Sequence, residues 1–448
     1  VKEFDWSLHG EADSYLRSLV DRFLRRHAIA SGLASRIESA TSTYFVDWVD
    51  HMVLPEEWID EAQLASLGFK AHTDLDGTEV HGVDGSVLFP LTVGPTHQIH
   101  LVIKVEELSR FVEAHRLTGQ VEGRPGEAYR RLPLKEENGL VLGAVERRGS
   151  PGFKTGISDD GPAYWRALDA FKGRRRRFEK AEEGTDALKT IIGASLEDLE
   201  ARRVADAFFR AERQFWQSRN LAGQVQAARQ DSLGLGWANH DHHTFRSSRG
   251  SFAALIEVLE MMGLRPRERY HAGAKAGWGA QIMEQPEQGT VVFTDVDLGQ
   301  EETKGDFAHQ GLSPKEGLGT VGMWVELHGE SMLEAGMHHL AARFRFDDLA
   351  SDIQARGVEM MKPFSDFPFL RQAFTKGERW MPIEGNLPRL VGRGAITSDQ
   401  AATFQAERAI GSHLENIQRG QGFKGFNQDS VSVIIRATDP RGKEAGGA

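Results

Sequence analysis

One small unit recurs along this chain of 448 residues, and it limits the possible folds more than any other feature. A histidine-bearing strand is followed by a helix and then by further strands, opening at VDHMVL, at DHHTFR and at MHHLAA. In the first copy TYFVDWVDHMVLP is rich in β-branched and aromatic residues, PEEWIDEAQLASLG predicts a helix with an acidic first turn, and VLFPLTV and HQIHLVIKV predict strands. The second copy runs WANHDHHTFRSS, the helix FAALIEVLEMMG, then YHAGAKAGWGAQIMEQ and GTVVFTDVDL as strands. The third runs GMHHLAARFRF, the helix DDLASDIQARG closed by Gly357, then IGSHLENIQR and VSVIIRAT as late strands. Repetition of this unit is the organising feature.

Between the copies the pattern changes. Residues 11–40 carry Leu16, Leu19, Val20, Phe23 and Leu24 at helical spacing and predict one packed N-terminal helix. Residues 160–230 are mostly charged, with Trp165, Leu168, Phe171, Leu199, Val204, Phe208, Phe209, Phe215 and Trp216 as an apolar stripe, and predict a helical connector. The arginine run at 174–177 is balanced at once by FEKAEEG, so it reads as a solvated helix face rather than a phosphate site. The expected organisation is an N-terminal α+β domain over 1–159 with a degenerate copy of the unit, a helical connector over 160–231, and a domain over 232–448 that carries the chemistry.

With 54 Lys+Arg against 65 Asp+Glu the net charge is -11, which opposes a general affinity for nucleic acid or anionic membrane and favours small-molecule partners. Zero cysteines leave only His, Asp and Glu to hold a transition metal. No run of about 18 apolar residues appears, and VKEFDWSLHG lacks the order of a signal peptide, so the cytoplasm is the expected location.

Alternation across a strand puts His240, His242, Thr244 and Arg246 on one face and His243 and Phe245 on the other. In the third copy Met337, His339, Ala341 and Arg343 fall together, opposite His338, Leu340 and Phe344. Late in the chain His413, Glu415, Ile417 and Arg419 share a face, offering a carboxylate beside another base. Two neutral imidazoles and one carboxylate with open positions suit non-haem Fe(II), and the same set serves zinc hydrolysis.

At these residues the chain resembles the 2-oxoadipate dioxygenase/decarboxylases, or hydroxyglutarate synthases, of the vicinal oxygen chelate superfamily. The family's first ligand lies in a His-Gly-Ala-Ile-Arg type motif before a helix, a Met-Gly-x-x-Pro turn and a Tyr-containing strand; here HHTFR precedes LIEVLEMMGLRPRERY. Its Asn-His-x-Thr-Pro-Arg strand is matched by MHHLAAR, and its Tyr-Glu-Phe-Ile-x-Arg strand with a following Gly-Phe by HLENIQRGQGF. The resemblance covers about 235–435 and departs at His243 for the motif's Gly, Ala342 for its Pro and His413 for its Tyr. It implies an α+β fold of vicinal-oxygen-chelate-like βαβββ units around a metal cavity. The ligands would be His242, His339 and Glu415, with Arg246 binding the substrate carboxylate and Arg343 and His413 tuning the pocket. His240, His243, His338 and His413 stand in reserve as ligands.

The activity so implied is a dioxygenase/decarboxylase using Fe(II), with Mn or Zn as alternatives, on a 2-oxo acid and O2 to give a hydroxy acid and CO2. The residues alone leave two other readings open: a redox-neutral metal-dependent isomerase or lyase, and a non-catalytic small-molecule binding protein.

Overall fold

Two short helices begin the computed structural model, which describes residues 6–94, 97–117, 119–272, 276–315, 317–427, 439 and 441. They are α1 (Gly10–Arg26) and α2 (Ala28–Thr41), where one helix was expected. His27 divides them: its backbone is extended, its side chain is fully buried, and its Nδ1 accepts the Ala30 N–H to cap α2. The break lets Leu16, Leu19, Val20 and Phe23 of α1 and Leu33 and Ile37 of α2 enter one core.

Beneath these helices run β1 (Val49–Pro55), α3 (Glu61–Ser66), β2 (Lys70–Thr73), β3 (Glu79–Gly82), β4 (Leu91–Gly94), β5 (Ile99–Val105), α4 (Leu108–His115), β6 (Tyr129–Glu137) and β7 (Leu140–Arg147). Their seven-stranded sheet has the order β2-β3-β4-β1-β5-β7-β6. The opening strands β1 and β5 pair antiparallel at the centre, and each lies parallel to the last strand of its own unit, β4 or β7. The stretch expected to hold one degenerate unit therefore holds two, the second one strand short. HQIHLVIKV, expected to end the first unit, opens the second. Its helix α4 escapes a periodicity reading because only Leu108 and Phe111 are buried within eight residues.

The connector forms α5 (Gly161–Gly173), α6 (Ala181–Leu196), α7 (Ala201–Gln217) and α8 (Leu221–Asp231). The arginine run after α5 is not on a helix. Arg174 and Arg176 instead turn inward onto the buried Glu212 carboxylate, with the Met332 and Leu333 carbonyls accepting from them. A charge buried in this way must be paired, which the local balance of the sequence does not reveal.

The C-terminal sheet is built from β8 (His240–Arg246), α9 (Phe252–Met261), β9 (Arg265–His271), β10 (Trp278–Gln285), β11 (Thr290–Asp297), α10 (Thr320–His328), β12 (His339–Arg343), α11 (Phe346–Gln354), β13 (Ser365–Phe367), β14 (Leu370–Phe374), β15 (Glu378–Trp380), α12 (Asn386–Gly392), α13 (Ser398–Glu407) and β16 (Ala409–Arg419). Its order is β13-β14-β16-β12-β8-β11-β10-β9, with β15 also on β16. Again the two opening strands, β8 and β12, pair antiparallel at the join, and each is parallel to its unit's last strand, β11 or β16. The fold is thus α+β, with paired βαβββ units and a helical connector, as expected. VSVIIRAT lies outside the described residues.

One face of this sheet packs on helices. Phe245, Leu340, Ala342 and Leu414 share a core with Phe171, Phe208 and Phe209 of the connector and with α9 and α11. Phe208 is 1% exposed and its ring lies 5.5 Å from Phe171 and 6.2 Å from Phe245. Phe208→Ala is expected to cost about 3–5 kcal/mol of unfolding free energy, measured by urea titration, because the cavity left is too enclosed to collapse. The opposite face is left free to build a site.

Candidate metal centre

The join between the two C-terminal units fixes the site. In the β8/β12 register His242 is opposite Ala341 and Thr244 is opposite His339, while Glu415 of β16 lies beside Ala341. Three donors from three adjacent strands therefore project from one face. Ligand atoms of His242, His339 and Glu415 all lie within 4.8 Å of one another, and all three side chains are buried. His242 Nε2 and His339 Nε2 each lie 3.1 Å from Glu415 Oε2. The Thr244 hydroxyl is 2.7 Å from the same His339 nitrogen.

A layer of buried partners holds these donors. Gln372 Nε2 donates to Glu415 Oε1 at 2.8 Å. Asp241 Oδ1 lies 3.0 Å from His242 Nδ1, and Asp241 is itself gripped by Arg419 at 2.8 and 2.9 Å and by Arg343 at 3.0 Å. His242 thus has a carboxylate at each ring nitrogen. Burial depresses its pKa, but Glu415 and Asp241 outweigh burial and raise it above the ordinary imidazole value. Burial pushes the Glu415 carboxyl up, yet the two imidazoles prevail and hold it well below the usual carboxylate range. His339 is lowered, chiefly by burial. A divalent cation suits this set, because it replaces the proton that His242 otherwise carries between two carboxylates.

Two expected outcomes follow from this geometry. Below the raised pKa of His242 the metal must displace a proton, so affinity should climb about tenfold per pH unit and level off above that pKa, as metal titrations across buffers would show. Gln372→Leu removes the hydrogen bond that orients Glu415, and chelator competition should record affinity weaker by roughly 10–100-fold.

Around the donors the cavity is walled by Tyr270, Trp278, Phe293, Phe364, Phe374 and Phe426, with Arg246 and Asp295 as its other charged groups. Phe426 and Phe293 stack edge-on at 4.6 Å, and both lie within 5.1 Å of the His242 ring. Arg246 is 2% exposed; its Nε is 3.7 Å from Asp295 Oδ2, and its Nε and Nη1 have no hydrogen-bond acceptor among the described residues. Burial pushes the Asp295 carboxyl up to about 7 against the pull of Arg246.

The remaining expected site residues fall elsewhere. Arg343 and His413 are not among the residues that line the cavity. Arg343 reaches Asp241 from behind, and His413 donates its Nδ1–H to the Thr375 carbonyl at 2.7 Å while packing on Phe374 and His338. His240 does not share the His242 face as simple alternation requires. The β8/β12 register slips between Ala341 and Ala342, so His240 turns toward His243, 5.3 Å between ring centroids. His243 packs on Phe209, and His338 lines the cavity with its Nδ1 bound to the Gly411 carbonyl. Met337, ahead of β12, belongs to the helical core rather than to the His339 face.

Asp241, Gln372 and Asp295 are the supporting residues that motif reading misses. Asp241 carries a signal, since DHH places a carboxylate next to a ligand; Gln372 and Asp295 carry none.

The N-terminal sheet repeats the geometry without the third donor. His51 is opposite Val102 and Val53 is opposite His100, the same offset as His242 and His339. The position equivalent to Glu415, beside Val102 on the parallel neighbour, is Gly143. A Cβ there would meet nothing closer than 3.6 Å, so the position itself tolerates a side-chain stem. His51 instead lies 2.7 Å from Asp50, which Arg147 holds.

No family model and no curated protein matches this chain. Among solved structures it is similar to a variant of 4-hydroxymandelate synthase from Streptomyces coelicolor, at 11% identity over 88% of this chain and 98% of that one, TM-score 0.29. It is also similar to methylmalonyl-CoA epimerase from Mycobacterium tuberculosis, at 12% identity over 41% of this chain and 89% of that one, TM-score 0.24. The chain's own topology, rather than these distant likenesses, carries the fold described above.

Proposed function

We propose that this protein is an Fe(II)- and O2-dependent dioxygenase/decarboxylase that converts a 2-oxo acid to a hydroxy acid and CO2. One observation carries the reading: a two-histidine, one-carboxylate donor set and a buried guanidinium with unfilled N–H groups face the same aromatic-walled cavity. Three protein ligands leave positions open, the condition for binding an oxo acid and dioxygen together. Fe(II) bound there would supply the redox chemistry, with Mn and Zn as the competing metals. Asp241 and Gln372 fix the donors, and Arg246 would take the far carboxylate of the substrate by a paired hydrogen bond. The aromatic wall excludes water and so strengthens each of these interactions.

A second reading has one specific support. Asp295, with its carboxyl pushed up to about 7, faces the same cavity and could exchange a proton at neutral pH, as a redox-neutral isomerase or lyase using Zn or Mn would require. Anaerobic purification with metal analysis, followed by oxygen-electrode screening of 2-oxo acids, separates the two. The dioxygenase reading expects iron and O2 uptake matched by CO2 release. Iron-loaded protein that consumes no O2 with any 2-oxo acid, yet isomerises or cleaves one, overturns it.

A further inference from the structure

Thr244 stands on β8 midway between His242 and Arg246, is 1% exposed and lines the aromatic-walled cavity. Its Oγ1 lies 2.7 Å from His339 Nε2, the nitrogen that also faces Glu415 Oε2 at 3.1 Å. The far side of this ring is bare. His339 Nδ1 is buried and has no hydrogen-bond partner among the described residues, whereas His242 has Asp241 behind it. The polar contacts of the His339 ring are therefore concentrated on the nitrogen that would ligate.

These contacts must change when the site is loaded. An imidazole nitrogen carries either one hydrogen or one lone pair, and a cation needs the lone pair. Glu415 as a carboxylate only accepts, so of the two oxygens it is the Thr244 hydroxyl that can donate to such a nitrogen. Once a cation takes the lone pair, that hydroxyl loses its acceptor. The oxygen itself stays in place, because a β-branched side chain buried on a strand has little rotamer freedom. Its hydrogen is free to turn, and a buried donor left without an acceptor is costly.

We propose that Thr244 passes its hydrogen bond from His339 to the exogenous ligand of the metal, an anionic oxygen or nitrogen atom in an open coordination position. This deepens the proposed function and rests on its metal centre: Arg246 takes the far carboxylate of the substrate, and Thr244 meets the end that faces the donors. The hydroxyl then selects for ligands whose metal-facing atom accepts a hydrogen bond. The exchange has effects of opposite sign. The contact with His339 is made only before the cation binds and opposes its uptake, while the contact with the anion is made only afterwards and favours the anion.

Co2+ titration of the full chain, then azide titration of the Co2+-loaded protein, both read by visible absorption, tests this without turnover. Thr244→Val keeps the shape and removes the hydroxyl. It is expected to bind Co2+ as tightly as the unaltered protein, or up to about tenfold more tightly, and to bind azide about tenfold more weakly. Thr244→Ser restores the donor and should recover most of the azide affinity. Equal azide affinity in Thr244→Val and the unaltered protein overturns the proposal and leaves the metal centre standing, as does a Co2+ spectrum that azide does not move. Thr244→Ser binding azide no better than Thr244→Val overturns it by assigning the loss to packing. Weaker Co2+ binding by Thr244→Val overturns it by making the hydroxyl part of the donor set. Failure of the unaltered protein to take up Co2+ is a different result, which removes the metal centre and the proposal together.

Discussion

Glu415→Ala is expected to leave the protein folded but unable to hold a stoichiometric metal, and to abolish turnover. Glu415 Oε2 is the one atom that both imidazoles approach, at 3.1 Å each, so its removal takes away the only anionic donor of the set and leaves two neutral nitrogens. The fold should survive, since the main cores lie on the helical faces of both sheets and do not depend on this side chain. The local cost is the stranded Gln372 amide, about 1–3 kcal/mol for an unmet buried donor. His242→Ala and His339→Ala should behave alike. Metal per chain after dialysis, read beside circular dichroism, checks all three. Full occupancy in any one variant strikes that residue from the ligand set, with His338, which lines the same cavity, the next candidate.

The site was more legible in the sequence than the fold around it, for a physical reason. Candidate ligands on strands are carried by residue type and by the two-residue alternation, and both survive in HDHHTFR and HHLAAR without any knowledge of the partner strand. What alternation cannot see is a bulge. The slip at Ala341/Ala342 turns His240 toward His243, and local sequence does not announce it. Tertiary pairing is equally silent: the arginines at 174 and 176 read as solvated because their partner Glu212 is a helix and a half away along the chain. Gln372 is invisible for the same reason, since a lone Gln on a short strand gains its role only when β14 lies against β16.

The second unit shows how a repeat can hide. Its strand and histidine are plain in HQIHLVIKV, but its helix is short and its third strand is missing. Register, rather than sequence likeness, reveals the relation. Both sheets join two units through antiparallel opening strands, and both offset their histidines identically across that join. At the position equivalent to Glu415, which completes the three-residue cluster of the C-terminal sheet, the N-terminal sheet has Gly143 and offers no side chain. The N-terminal half keeps the scaffold, while the C-terminal half keeps the three-residue cluster.

Arg246→Lys is expected to retain metal yet lower kcat/KM for the physiological substrate by roughly 10- to 150-fold, the equivalent of about 1.5–3 kcal/mol for a hydrogen bond to a charged group. The structure sharpens the reason. Arg246 lies four residues after His242 on the cavity wall, too far to ligate, and its guanidinium is buried with Nε and Nη1 unfilled. Asp295 stands off at 3.7 Å, and burial drives that carboxyl toward its neutral form. A cation held in this way keeps its charge for an incoming carboxylate. Lys preserves the charge but not the paired donors, and Arg246→Met removes both, so the losses should be graded from Lys to Met. Neither change touches Asp241 or Gln372, so metal per chain should hold steady through the series. Since Asp295 competes when ionised, substrate affinity should also fall as pH rises through about 7 in the unaltered protein and lose that dependence in Arg246→Met. Unchanged kcat/KM in both variants would remove the anionic-substrate assignment and leave the metal centre standing.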